Sequence, residues 1–197
     1  MLFFRRVSRV IRDLVRVVPG PRSLALLPAL LLTACLGMPE GVQPVENFEA
    51  QRYLGRWYEI ARLDHSFERD LVNVTAEYSR REDGAVVVRN RGFDSEDGEW
   101  DDIEGVARFV EGENLAYLKV SFFGPFYGSY VVFDLDREAE DYGYAFVSGF
   151  NRDYLWLLSR EPTVPDSVKA DFLRQAESLG FPVGELIWVP QESAAPE

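Results

Sequence analysis

Tyr53-Leu54-Gly55-Arg56-Trp57-Tyr58-Glu59-Ile60-Ala61 opens the first of eight short runs rich in Val, Tyr, Phe and Trp, and the spacing of those runs decides the fold. Working outward from it, strands are expected over about 55–63, 74–81, 85–92, 100–110, 114–123, 128–136, 142–150 and 153–160. Turn-forming residues divide them: Glu82-Asp83-Gly84, Ser95-Glu96-Asp97-Gly98, Glu111-Gly112-Glu113, residues 137–141 and Asn151-Arg152-Asp153. Hairpin-length links between eight strands predict an all-β, antiparallel, up-and-down meander. Closing it into a barrel removes the unpaired edges that an open meander would leave. Eight strands enclose an interior just wide enough for one small ligand.

The period changes after the eighth run. Val168, Phe172, Ala176 and Leu179 form one apolar stripe on a helix expected over 165–179, with Pro165 in its first turn, Asp166 complementing its dipole and Gly180 ending it. A ninth short strand is expected over 185–189. The predicted architecture is therefore an eight-stranded barrel with one C-terminal helix packed outside and a short ninth strand, over residues 47–191. Residues 36–46, with Gly37, Pro39, Gly41 and Pro44, read as a flexible tether, and 192–197 as a disordered tail.

The N-terminus is a separate segment. Arg5, Arg6, Arg9, Arg12, Arg16 and Arg22, with Asp13 as the one acid, precede an apolar run at 24–32. That run is too short for the ~20 residues a bilayer-spanning helix needs and has the form of a signal peptide. It ends in Leu32-Thr33-Ala34-Cys35, which resembles the bacterial lipobox. The resemblance implies cleavage after residue 34 and acylation of Cys35, so that 35–46 is a lipidated tether. Several acyl chains anchor stably, at ~0.8 kcal/mol per buried CH₂, where a single chain does not. Leu36, standing where an aspartate would retain the protein elsewhere, implies sorting to the outer membrane, with the barrel facing the periplasm.

Removing 1–34 changes the 21 basic and 33 acidic residues to 15 and 32, a net charge of −17. Such a domain repels nucleic acid and anionic lipid, so attachment to a membrane falls to the acyl chains. Cys35 is the one cysteine, which leaves the exported domain without a disulfide or a catalytic thiol.

Gly55-Arg56-Trp57 at the start of the first of eight strands, with Asn47-Phe48 upstream and Arg160 ending the last, resembles the lipocalin signature. A narrower likeness, to the bacterial outer-membrane lipoprotein lipocalins related to apolipoprotein D, rests on further stretches. These are Arg52-Tyr53-Leu54-Gly55, Phe67-Glu68-Arg69, Lys119 to Gly128, Leu135 to Glu138 and Asp153-Tyr154-Leu155-Trp156. The middle lipocalin motif keeps only Asp136. The resemblance implies that Gly55, Trp57 and Arg160 form the barrel floor, with the guanidinium on the indole face and donating to nearby carbonyls. It also implies capture of a fatty acid, lysophospholipid or similar amphiphile, without a cofactor.

Alternation along the strands predicts the wall of the cavity. Leu118, Val120 and Phe122 share an apolar face opposite Lys119 and Ser121, while Tyr154, Trp156 and Leu158 share a face with Arg160. Comparison with the family puts Trp156, Val88 and Asn90 inward, Asn90 being the polar group across from Trp156 that orients an amphiphile. Barrel core is the alternative for each. At the mouth, His65, Phe67 and Leu71 on one connection and aromatics 123–127 on another either contact acyl chains, meet a second subunit in a homodimer, or cap the barrel. Catalysis has little support: one histidine, no Gly-x-Ser-x-Gly, and two acidic clusters (Asp101, Asp102, Glu104 and Glu138, Glu140, Asp141) that read as solvated rims, with no metal set. A lipid-converting enzyme and a structural barrel filled by its own side chains are the competing functions.

Overall fold

The computed structural model describes residues 37–191; the expected signal segment 1–34, the lipidation site Cys35 and the tail 192–197 lie outside the described residues. Nine strands run in chain order. They are β1 (Gly55–Arg62), β2 (Leu71–Arg80), β3 (Val86–Asp94), β4 (Glu99–Phe109), β5 (Tyr117–Ser121), β6 (Gly128–Leu135), β7 (Tyr144–Ser148), β8 (Leu155–Ser159) and β9 (Ile187–Trp188). A one-turn helix α1 (Ala50–Tyr53) precedes β1, and α2 (Asp166–Ser178) with a short 3₁₀ turn (Val183–Glu185) separates β8 from β9. Every pairing is antiparallel; β1 to β8 pair in chain order, and β1 also pairs with β8, which closes the barrel. β9 adds to the far end of β1 through Ala61↔Trp188 and Arg62↔Ile187.

Two apolar layers result. The barrel interior gathers Trp57, Tyr78, Val88, Leu118, Val132 and Val147 with Phe48 and Tyr53 from the crossing segment. The second layer lies outside, where Phe172 and Ala176 of α2 pack on Phe146, Leu157 and Val131. Val168 and Leu179, at the ends of the predicted stripe, pack against the same layer. The helix begins at Asp166, with Pro165 flanking it as the cap rather than inside its first turn.

The floor forms where β1 begins and β8 ends. Trp57 is fully buried, its Nε1 donating to the Tyr53 carbonyl at 2.8 Å. The Arg160 guanidinium lies 3.9 Å from the indole centroid. Its nitrogens donate to the carbonyls of Arg52 (2.8 Å), Leu54 (2.9 Å), Arg56 (2.7 Å) and Asp141 (2.9 Å). One planar fork thus satisfies three carbonyls where the chain turns into β1 and a fourth, of Asp141, in the β6–β7 connection. Gly55 allows the turn that presents these carbonyls, because its φ of +89° is a left-handed conformation that other residues rarely adopt.

The expectation of a flexible tether is corrected for the part that is described. Val42 and Val45 are buried, Val45 N–H donates to the Val132 carbonyl at 2.9 Å and its own carbonyl accepts from Ala116 N–H at 2.9 Å. Residues 37–46 are docked on the barrel wall, because two valines and their backbone groups find partners on β6 and in the β5 approach. Strand five is also shorter than the expected 114–123 and strand eight shorter than 153–160, so Phe122 and Tyr154 lie just outside their strands.

Trp57→Ala is expected to lower the free energy of unfolding by about 3–5 kcal/mol, as a large core truncation does, measured by urea denaturation of the soluble domain. An unchanged midpoint and slope would contradict the floor's structural role.

Candidate functional site

The inward wall is set by strand parity. Val88 on β3, Leu118 and Val120 on β5, Leu158 and Trp156 on β8, and Phe122 just past β5 all belong to, or pack on, the interior cluster. Gly105 is what admits Phe122: a Cβ on this β4 residue would stand 2.7 Å from Phe122 Cδ1, so the ring occupies the room a side chain would take. Lys119 points the other way, its ammonium 5.2 Å from the Tyr127 ring centroid. Asn90 sits in register with Ala76 and Ile103, and its Oδ1 is buried without a hydrogen-bond partner among the described residues.

Toward the floor, a small apolar cavity of about 20 Å³ is bounded by Phe48, Tyr53, Tyr78, Phe109, Leu118 and Val120. Only Leu118 and Val120 of the sequence-predicted wall line it; Val88, Asn90, Phe122, Tyr154, Trp156 and Leu158 do not. The polar atoms at its edge are phenolic. Tyr130 Oη lies 2.6 Å from Tyr53 Oη and 2.9 Å from Tyr78 Oη, a hydroxyl cluster in which burial raises each phenol's pKa.

A second polar group sits beside Trp156, and it was not legible in the sequence. β1 carries an extra residue between Glu59, paired with Leu158, and Ala61, paired with Leu157. This bulge turns both Glu59 and Arg62 toward the face of Leu158 and Trp156, where strict alternation would have separated them. Both are buried, and Arg62 Nη1 donates to Glu59 Oε1 at 2.7 Å. Arg62 Nη2 reaches past the strand to the carbonyls of Glu68 (2.7 Å) and Leu71 (3.1 Å), pinning the 63–70 loop across the end of the barrel. Trp156 Nε1 donates to Glu68 Oε2 at 3.1 Å, so the indole's polar partner is Glu68 rather than Asn90. His65 from the same loop stacks on Tyr154 (4.7 Å between centroids) and Phe67 (5.2 Å). The connection carrying His65 and Phe67 therefore caps the mouth.

Three titratable groups and one guanidinium share this cap. Burial raises the Glu68 carboxyl well above 4.5, and the neighbouring Glu59 adds to the shift. Burial also raises Glu59, with Arg62 opposing. The consistent charge state is an Arg62–Glu59 ion pair next to a protonated Glu68, since a second buried carboxylate would have no second cation to face. Burial, with Arg62 assisting, lowers His65 to about 4. Of the acids expected on solvated rims, Asp101 is an exception and is buried on β4, while Asp102 meets Arg89 at 3.5 Å.

A closed eight-stranded antiparallel barrel with an outer helix, an arginine-on-tryptophan floor and an apolar interior is the architecture of the lipocalin class. The chain belongs to the lipocalin family: residues 48–191 match the family described as a lipocalin-like domain. It is 59% identical over 167 residues to the outer membrane lipoprotein Blc of Vibrio cholerae, covering 85% of this chain and 96% of that one. It is 52% identical over 173 residues to the outer membrane lipoprotein Blc of Escherichia coli strain K12, covering 87% and 96%. Among solved structures, insecticyanin from the tobacco hornworm Manduca sexta superposes with a TM-score of 0.64 at 20% identity, over 81% of this chain and 89% of that one, a likeness of fold.

The cap's charge state makes two predictions. His65 is the one histidine, so its ring resonances are unambiguous; they should titrate near pH 4 rather than 6.5. Because the unfolded chain binds this proton first, stability falls as pH drops from 6.5 toward 4 on this account. Glu68 has the opposite sign: its raised pKa costs stability as pH rises above 4.5. Glu68→Gln, which keeps an acceptor for Trp156, should therefore gain on wild type with rising pH in urea titrations. A pH-independent difference would contradict a protonated Glu68.

Proposed function

We propose that this protein is an outer-membrane lipoprotein, held by acyl chains on Cys35, whose barrel reversibly binds a single-chain amphiphile such as a fatty acid or lysophospholipid. One observation carries the reading. The inward face is a continuous apolar cluster that ends in a buried polar set, Glu59, Arg62 and Glu68, against Trp156. A chain-like hydrocarbon with one polar end matches that gradient. Burying ~400 Å² of ligand hydrocarbon at ~25 cal/mol per Å² yields ~10 kcal/mol gross, and association costs reduce this to the micromolar range. The relatives' name, outer membrane lipoprotein, supports the anchor and location. Membership of the lipocalins supports binding rather than catalysis.

Trp156 is the reporter. Titration with a fatty acid or lysophospholipid should quench tryptophan fluorescence saturably. Trp156→Ala should weaken binding by about 1–3 kcal/mol in a displacement assay through lost apolar contact, whereas Lys119→Ala on the outer face should leave it unchanged. Equal losses would overturn the wall assignment, and an absence of saturable binding across a panel of amphiphiles would favour a filled structural barrel. Separately, Cys35→Ser should move the protein from the detergent to the aqueous phase of a phase-partition extract while leaving the barrel folded. Aqueous partition of the wild type would overturn the anchor.

A further inference from the structure

The chain enters the barrel at a defined place. Gly37 N–H donates to Tyr117 Oη at 2.9 Å and to Ser129 Oγ at 3.0 Å. Ser129 is the second residue of β6, which starts at the mouth and runs to the floor. Arg152, in the β7–β8 connection at the same rim, donates to the Glu40 carbonyl at 2.9 Å. Eight residues after Gly37, Val45 bonds to Val132, farther down the same strand. The segment 37–45 therefore descends the outer wall from mouth to floor, and its upstream end is the mouth end. Cys35 precedes Gly37 by two residues, which even fully extended span at most about 7 Å.

The loop beside that point is unlike the rest of the surface. Residues 120–133 contain no Asp, Glu, Lys or Arg, in a chain with 33 acidic residues. Phe126 at the loop's tip is 62% exposed, more than any other large hydrophobic side chain among the described residues. On the rim the loop lies between two connections: Arg152 is in the β7–β8 connection on one side, while the β3–β4 hairpin on the other carries Asp94, Glu96, Asp97 and Glu99, and the Lys119 ammonium is 5.2 Å from the Tyr127 ring within the loop. An exposed aromatic on an uncharged loop with basic neighbours suits a phospholipid interface; an acidic hairpin does not.

From these two independent observations we infer that the anchored barrel sits with its mouth against the bilayer, tilted so that the β5–β6 loop inserts Phe126 among the lipid headgroups. Ligand would then pass between barrel and membrane without crossing bulk water. The inference rests on the reading that Cys35 is the acylated anchor, because the anchor's position at the rim is what turns the mouth to the membrane.

The test uses the full, acylated protein in phosphatidylethanolamine and phosphatidylglycerol vesicles carrying acyl-brominated lipid. Acylation consumes the Cys35 thiol, so Phe126→Cys supplies the one free thiol for an environment-sensitive fluorophore. Glu82→Cys, on the β2–β3 hairpin at the floor, serves as the comparison. Both sites are exposed, and near-ultraviolet circular dichroism checks that each variant is folded. The inference expects a blue shift and bromine quenching at 126 and neither at 82. Co-sedimentation with vesicles while both probes remain in water would overturn the docked mouth and leave the anchor standing. Quenching at 82 instead of 126 would reverse the orientation. Failure to sediment, with Cys35 reacting freely with a thiol reagent, would overturn the anchor and this inference together.

Discussion

Closure of the sheet through β1 is the constraint on which the remaining structure depends. β1 pairs with β2 along its first half and with β8 along its second, and its last two residues also take β9. One eight-residue strand thus satisfies three neighbours, and without it β2 and β8 would both present open edges. The floor secures its entry: Arg160 gathers the carbonyls of Arg52, Leu54 and Arg56 on either side of Gly55 and lies on Trp57. A cation here does three tasks at once, satisfying backbone acceptors, covering an indole face and ending β8 in register with the start of β1. Lysine offers no planar fork with which to do the same.

The other end of β1 is built from a deviation. The extra residue near Ile60 lets an acid and an arginine three positions apart face the same interior. Arg62 then acts as a strut between wall and lid, ion-paired to Glu59 and hydrogen-bonded to the carbonyls of Glu68 and Leu71. Burying such a set carries a desolvation cost that the pair alone does not clearly offset. What it secures is a defined lid position, with Glu68 on Trp156 and His65 stacked among Phe67 and Tyr154. The interior is consequently graded, with hydroxyls of Tyr53, Tyr78 and Tyr130 toward the floor, hydrocarbon between, and an ionic group under the lid.

The outer wall adds a direction to this arrangement. The docking of Val42 and Val45 against β6 converts what sequence composition presents as a loose tether into a clamp that begins at the mouth. If Cys35 carries the proposed acyl chains, two residues of sequence separate that anchor from Gly37 on the barrel. A long flexible leash would leave the barrel's orientation to diffusion, whereas a short one couples it to the membrane plane.

The sequence by itself determined the elements and their faces. Eight runs of β-forming residues with hairpin turns specify a meander, the stripe Val168, Phe172, Ala176 and Leu179 specifies an outer helix, and alternation puts Leu118 and Val120 opposite Lys119. Those are local properties, carried by residues two to four positions apart, so they are readable without coordinates. Tertiary structure decided what no local period encodes. The bulge in β1 breaks alternation at one residue and thereby recruits Glu59 and Arg62 to the interior. The 63–70 loop becomes a lid only because Arg62, turned inward by the bulge, and Trp156, distant in sequence, both hold it. Glycines and prolines at 37–46 read as flexibility because composition counts residue types, whereas order there comes from valines meeting a wall that exists only once β5 and β6 have paired.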